Sequence, residues 1–205
     1  MFVLGVDPGL SRCGYGLLER GSGGRHRAVA AGVIVTDPTW DLPARLQVVH
    51  EELRALVQEF EPDVMAVERV FFQVNARTAM SVGQVSGLAL VAASDAGCEV
   101  VQYTSNEVKQ AVVGYGSATK RQVQRMVASS LSLQTPPHPP DAADALALAL
   151  CHLATLPLRR AVAAASKAQT ASNGQTGSAG RRPSNTQMGP TRMAEARTAE
   201  GGQVP

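Results

Sequence analysis

Cysteine, aromatic side chains and an unbroken apolar run are what this chain has least of. Its 3 cysteines, Cys13, Cys98 and Cys151, stand far apart in the 205 residues and form no Cys-x-x-Cys pair. That argues against a disulfide framework or a structural zinc site and for a reducing cytoplasm. The longest apolar-rich stretch, residues 142–158, is interrupted by Asp144, His152 and Pro157. It falls short of a membrane span, so no membrane is expected among the partners. Met1-Phe2 leads straight into a strand pattern with no basic segment ahead of it, so no secretory leader is expected. What remains is a globular composition, 44% hydrophobic, long enough for one ordinary core.

Surplus positive charge is missing from the part of the chain that can fold. From residue 159 onward seven basic residues face Glu195 and Glu200, a surplus of 5, so the overall +2 leaves −3 for residues 1–158. A body with that balance must gather its cations on one face to hold nucleic acid, and divalent metal at an acidic cluster would remove part of the deficit. Beyond residue 158 there is no aromatic and no leucine, only Ala, Ser, Thr, Gly, Gln and Arg in quantity. Residues 158–205 are therefore expected to form a disordered basic tail after a single domain, residues 1–157.

The chain is organised around residues 2–16, FVLGVDPGLSRCGYG. An apolar run ends on Asp7 and meets the turn pair Pro8-Gly9, after which alternation resumes through Tyr15, Leu17 and Leu18. This predicts a hairpin whose first strand is buried on both faces, with one carboxylate at its end. Gly5, Gly9, Gly14 and Gly16 would let backbone or phosphate approach that acid. Residues 28–36 predict a third strand, and Asp41-Leu42-Pro43 opens a helix that Pro62 stops. The segment DVMAVE, residues 63–68, is a short buried strand ending on Glu68. Reached through a helix, it is expected parallel to and beside the first strand, with Glu68 at the same sheet edge as Asp7.

Further along, Phe71 and Phe72 stand together although aromatics make up only 4% of the chain. Residues 76–96 read as a small-residue helix on which Gly83 and Gly87 share a face, for packing on its own sheet or for a dimer contact. Residues 99–103 read as a fifth strand. Lys109, Lys120, Arg121 and Arg125 flank the turn Gly114-Tyr115-Gly116 and form the body's dense basic patch, a phosphate-binding candidate. Asp141 and Asp144 share a face in the first turn of the last helix; His138, just before it, reads as a loop residue.

A last helix packed over the sheet edge would gather Asp7, Glu68, Asp141 and Asp144. Like charges so close raise one another's pKa unless a cation is present, and hard oxygen ligands suit magnesium or manganese. Two such ions, roughly 3.5–4 Å apart, would clamp the attacking water and the leaving oxygen of a phosphodiester.

Four segments, GVDPGLSRCGYG, AVERVFF, VKQAVVGYGSATKRQVQ and PPDAADALALA, in this order and spacing, closely resemble the RuvC family of bacterial Holliday-junction resolvases. The resemblance implies an α/β, ribonuclease-H-like fold: a mixed five-stranded sheet in the order 3-2-1-4-5, its first three strands antiparallel, with helices on both faces. It implies that Asp7, Glu68, Asp141 and Asp144 are catalytic metal ligands for Mg2+, two ions per site, with Mn2+ able to substitute. It further implies that Phe71, with Phe72 as second candidate, stacks at the opened junction, and that Lys109 and Lys120, with Arg121 beside them, hold the DNA backbone. The implied assembly is a cytoplasmic homodimer on four-way junction DNA, working with RuvA and RuvB. Two other readings belong beside it. One is a junction-binding protein without nuclease activity; the other is a nucleotide-binding protein of the actin and Hsp70 superfamily, whose phosphate hairpin the Asp7-Pro8-Gly9 turn is similar to.

Overall fold

The computed structural model describes residues 1–69 and 76–174. The chain divides into two units, Met1–Ala163 and Ala164–Pro205; the sheet and its helices belong to the first, except the end of the last helix. In order they are β1 (Phe2–Asp7), β2 (Arg12–Arg20), β3 (His26–Val35), α1 (Leu42–Phe60), β4 (Val64–Glu68), α2 (Ala76–Asp95), β5 (Glu99–Tyr103), α3 (Ser105–Val113), α4 (Lys120–Ser130) and α5 (Pro140–Gly174). The sheet order is β3-β2-β1-β4-β5. The β1–β2 and β2–β3 pairs are antiparallel, and β1–β4 and β4–β5 are parallel. This is the ribonuclease-H-like arrangement expected above.

The elements begin and end where local chemistry demands. Asp41 caps α1 by accepting a hydrogen bond from the Ala44 N–H, with Pro43 in the first turn, and Glu61 closes the helix in a left-handed conformation. Thr104 and Thr119 each form a capping box, with Glu107 and Gln122 respectively. Both satisfy helix-start N–H groups that would otherwise lack partners.

Side-chain alternation assigns the two sheet faces. On β1 and β4, Leu4, Val6, Met65 and Val67 pack with α1 and α2 in one core. Val3, Val64 and Ala66 pack with α3, α4 and α5 in the other. By the same parity Asp7 and Glu68 project on the α5 side. The parallel register pairs Val6 with Val67, and one further step sets Asp7 beside Glu68.

Helix α5 lies unusually deep on this face. A Cβ placed on Gly5 would run into the Ala145 carbonyl, one on Gly14 into the Asp141 carbonyl, and one on Gly16 into the Leu146 side chain. Gly5 and Gly14 are thus glycines because helix backbone rests directly on strand backbone. These glycines were expected to admit backbone or phosphate near Asp7; at Gly5 and Gly14 it is backbone. Gly83 and Gly87 behave differently: neither would place a Cβ within 4 Å of another group, so they do not serve close packing on their own sheet.

Two expectations change in α5. The shift in composition at residue 158 does not end the helix, which runs on to Gly174 with Pro157 inside it. Residues 158–174 hold six alanines beside Arg159, Arg160, Lys167 and Gln169, all strong helix formers, so the helical segment overlaps the first part of the expected tail; residues 175–205 lie outside the described residues. With that extension, Pro140–Ser166 is long and apolar enough to cross a membrane, yet 56% of its window is buried within the protein. Leu146, Leu148, Leu150 and Leu153 are core residues against the sheet, which accounts for the apolar composition without a bilayer.

The α5 contact has a direct test. Gly5→Ala is expected to destabilise the protein by about 1–3 kcal/mol or more, the usual range for overpacking, because the colliding atoms are backbone. Gly116→Ala, where a Cβ would meet only Asn106 at ordinary distance, is expected to be neutral or mildly stabilising. Denaturant unfolding of the two variants measures the difference, and equal midpoints would refute the backbone contact.

Candidate active site

Asp7 and Glu68 close two adjacent parallel strands, so the register that builds the sheet also forces two carboxyls together. Asp144, three residues beyond the first acid of α5, is lowered onto them by the glycine contact beneath Ala145. With Ser105, Lys109, Val108, Lys120, Val123, Ala147 and Leu148, these three acids line a cleft of about 390 Å³. Lys109 comes from α3 and Lys120 from the first turn of α4. The cleft therefore has an acidic floor and a basic wall. Lys120 reaches across it, its Nζ 2.5 Å from Asp144 Oδ2.

Burial and crowding of like charge govern ionisation here. Burial first, then the charges of Glu68 and Asp144, push the Asp7 carboxyl up to about 7. Burial also pushes Glu68 up, against the lowering effect of a hydrogen bond in which the Asp7 carboxyl is the donor. Lys120 is only partly desolvated, and its contact with Asp144 together with the surrounding acids holds its pKa above the ordinary lysine value.

Asp141 stands apart from this cluster. It does not line the cleft; its Oδ2 accepts from Arg12 Nε at 3.0 Å and lies 2.9 Å from Arg12 Nη2. The reason is positional. Asp141 rests over Gly14 of β2, and Arg12 begins that strand, whereas Asp144 lies one helical turn nearer to β1. Sequence reasoning missed Arg12 as a site residue: nothing local distinguishes an arginine after a turn, and its partner is 129 positions away. Ser105 was also missed, and a helix-start serine carries no signal by itself.

Of the other expected residues, Arg121 is exposed on α4 beside Lys120 and does not line the cleft. His138 is exposed, outside the cleft. Phe71 and Phe72 lie outside the described residues.

Among the described residues, no group of three or more His, Cys, Asp and Glu side chains is gathered tightly enough to hold a metal ion as the side chains stand. The donor set nonetheless fits a hard divalent cation. It offers carboxylate oxygens only, and the burial and like charge that push the Asp7 and Glu68 carboxyls up favour a cation beside them.

Comparison with known proteins supplies a family. The family model described as crossover junction endodeoxyribonuclease RuvC matches residues 3–152. A curated protein of that description from Syntrophomonas wolfei is 50% identical over 153 residues, covering 75% of this chain and 88% of its own. The solved structure of Thermus thermophilus RuvC superposes with a TM-score of 0.73 at 36% identity, covering 77% of this chain and 96% of that one. A second structure, T. thermophilus RuvC in complex with Holliday junction substrate, matches at a TM-score of 0.70 and 37% identity, over 74% of this chain and 92% of that one.

The raised acids make stability depend on pH and cation. A carboxyl whose pKa is higher folded than unfolded binds its proton more tightly in the native state, so its contribution is present at low pH and lost as pH rises from about 4 toward about 7. In chelator, wild-type melting temperature is expected to fall between pH 5 and pH 8 more steeply than that of Asp7→Asn. Magnesium or manganese at pH 8 is expected to raise the wild type and leave the variant nearly unmoved. Thermal melts across pH give the answer, and parallel profiles for the two proteins would contradict it.

Proposed function

Since the chain belongs to the RuvC family of crossover junction endodeoxyribonucleases, we propose that it resolves four-way DNA junctions by symmetric, divalent-cation-dependent phosphodiester hydrolysis. The observation that carries this reading is the meeting of Asp7, Glu68 and Asp144 with Lys109 and Lys120 in one cleft. A binding protein without nuclease activity would gain nothing from acids that repel the phosphates its lysines attract. The nucleotide-binding reading is not favoured by any comparable relative.

Asp7, Glu68 and Asp144 would hold magnesium, with manganese able to substitute and Asp141 completing a two-ion set. The cations supply activation of water and neutralisation of charge at phosphorus. Lys109 and Lys120 hold the backbone phosphate over the acids, a contact that positions the strand without reading sequence. Asp7 and Glu68, adjacent by strand register, orient the attacking water. Water adds to phosphorus and the bond to the 3′ oxygen breaks, leaving a 5′-phosphate and a 3′-hydroxyl. Arg121 adds charge beside Lys120. Phe71, and Phe72 as second candidate, replaces a base stack lost at the junction centre, worth roughly 1–3 kcal/mol per base.

A four-way junction has two-fold symmetry, and two cuts need two sites, so the working form is a homodimer. The exposed face of α2 supports a place for its interface. Met80 and Val91 are 64% and 51% exposed, and Gly83 and Gly87 lie between them with open space above. A second copy could approach closely there. Recruitment by RuvA and RuvB and a cytoplasmic location complete the reading, and the three cysteines, all free and buried, suit a reducing compartment.

Two measurements follow. On a mobile four-way junction and a linear duplex of matched sequence, wild type with magnesium is expected to give paired nicks in the junction alone. Asp7→Asn is expected to lose at least about 100-fold in rate, the scale of one preorganised electrostatic contact, while still binding; cleavage undiminished in the variant would remove Asp7 from the chemistry. Gly87→Arg is expected to convert the dimer to monomer in sedimentation, and an unchanged mass would move the interface off α2.

A further inference from the structure

Each acid of the last helix is held by its own cation. Lys120 takes Asp144, and Arg12 takes Asp141 through two nitrogens on one oxygen. The two pairs differ in what they do to the cleft. Lys120 and Asp144 both line it, so their pairing keeps Asp144 in place. Arg12 lines nothing there, and its grip keeps the Asp141 carboxylate over β2, outside the acid cluster. The Arg12 side chain is 46% exposed and that of Asp141 24%. If the pair parts, the guanidinium is therefore left in water and not stranded as a buried charge. Asp141 is short, and rotation about its two side-chain bonds is all that moves its oxygens relative to a fixed helix.

We propose that Arg12 is a competing counter-ion for Asp141: it holds the fourth acid out of the cleft in the cation-free protein and is displaced when divalent cation binds. The inference rests on the proposed cation-dependent reading of the site. Arg12 is then a positioning residue that sets the cation concentration at which the acid set becomes complete. It also relieves charge repulsion in the cation-free state, because only three of the four acids crowd the cleft. An exposed pair of this kind contributes little to stability, which is what an exchangeable latch requires.

The test is calorimetric titration of manganese, without DNA, into the full-length wild type, Arg12→Gln, Asp141→Asn and the double variant. Arg12→Gln is expected to bind manganese roughly two- to fivefold more tightly, the range a partly exposed ion pair can supply. The gain is expected to vanish in the Asp141→Asn background. Weaker or unchanged binding in Arg12→Gln would overturn the proposal, since an arginine that merely braced a ligand would loosen the site when lost. An equal gain with Asp141→Asn would overturn it too, because the effect would then be general removal of positive charge. Should Arg12→Gln not fold, the Arg12 Nε–H resonance of the wild type is followed during a parallel titration with diamagnetic magnesium. Release on cation binding supports displacement, and a resonance that stays put refutes it. If wild type binds no manganese at all, the cation-dependent reading itself fails; if it binds and only the Arg12 effects are absent, the latch alone fails.

Discussion

The structure depends on the contact between two backbones: helix α5 seated on glycines of β1 and β2. A helix covering a sheet is normally held off by a layer of side chains. Here Gly5 and Gly14 remove that layer where the Ala145 and Asp141 carbonyls come down. The helix is consequently fixed in height and also along its axis, since only certain residues can sit over the glycines. With the helix so fixed, Asp144 has one place to be, above the ends of β1 and β4.

The same constraint explains why the site is electrostatically expensive and how the expense is contained. Parallel register sets Asp7 beside Glu68 with no freedom to separate, and α5 adds a third acid. The fold answers with two helix starts. Both α3 and α4 begin at the cleft, each closed by a capping box, and each contributes a lysine to its wall. Helix N-termini carry partial positive charge, so the lysines and the backbone act in the same direction. Positive charge scarce in the folded body as a whole is thus concentrated where the acids are.

How much of this was legible in the sequence follows from which signals are local. Asp7 was legible because it ends a short apolar run before the Pro8-Gly9 turn and Glu68 because it ends a second such run, and strand periodicity then fixes their shared face. The cap at Asp41 was legible because a capping residue and a proline stand together at the head of an apolar-periodic run. The sheet order came from resemblance to a family, since no local rule orders five strands. The glycines were legible as sites of close approach, but what approaches could not be read, because it lies about 130 residues downstream. Gly83 and Gly87 show the converse: similar spacing, yet open space in place of a neighbour. The helix past residue 158 was obscured by composition, which registers loss of core-forming residues more strongly than helical propensity.

Asp141 marks the limit most sharply. Spacing of three on a helix put it on the same face as Asp144, and that inference about Cα positions is sound. What spacing cannot supply is the tilt of the helix across the strands, which carries one acid over β2 and the next toward β1. Nor can it supply the partner waiting at each place. A carboxylate has several acceptor sites but few bonds about which to turn, so the nearest cation decides where it points. On β2 that cation is Arg12, and at the cleft it is Lys120. The identity of the ligand set is therefore written in the sequence, while its state of assembly is written in the counter-ions, and only the folded arrangement shows which acid each of them holds.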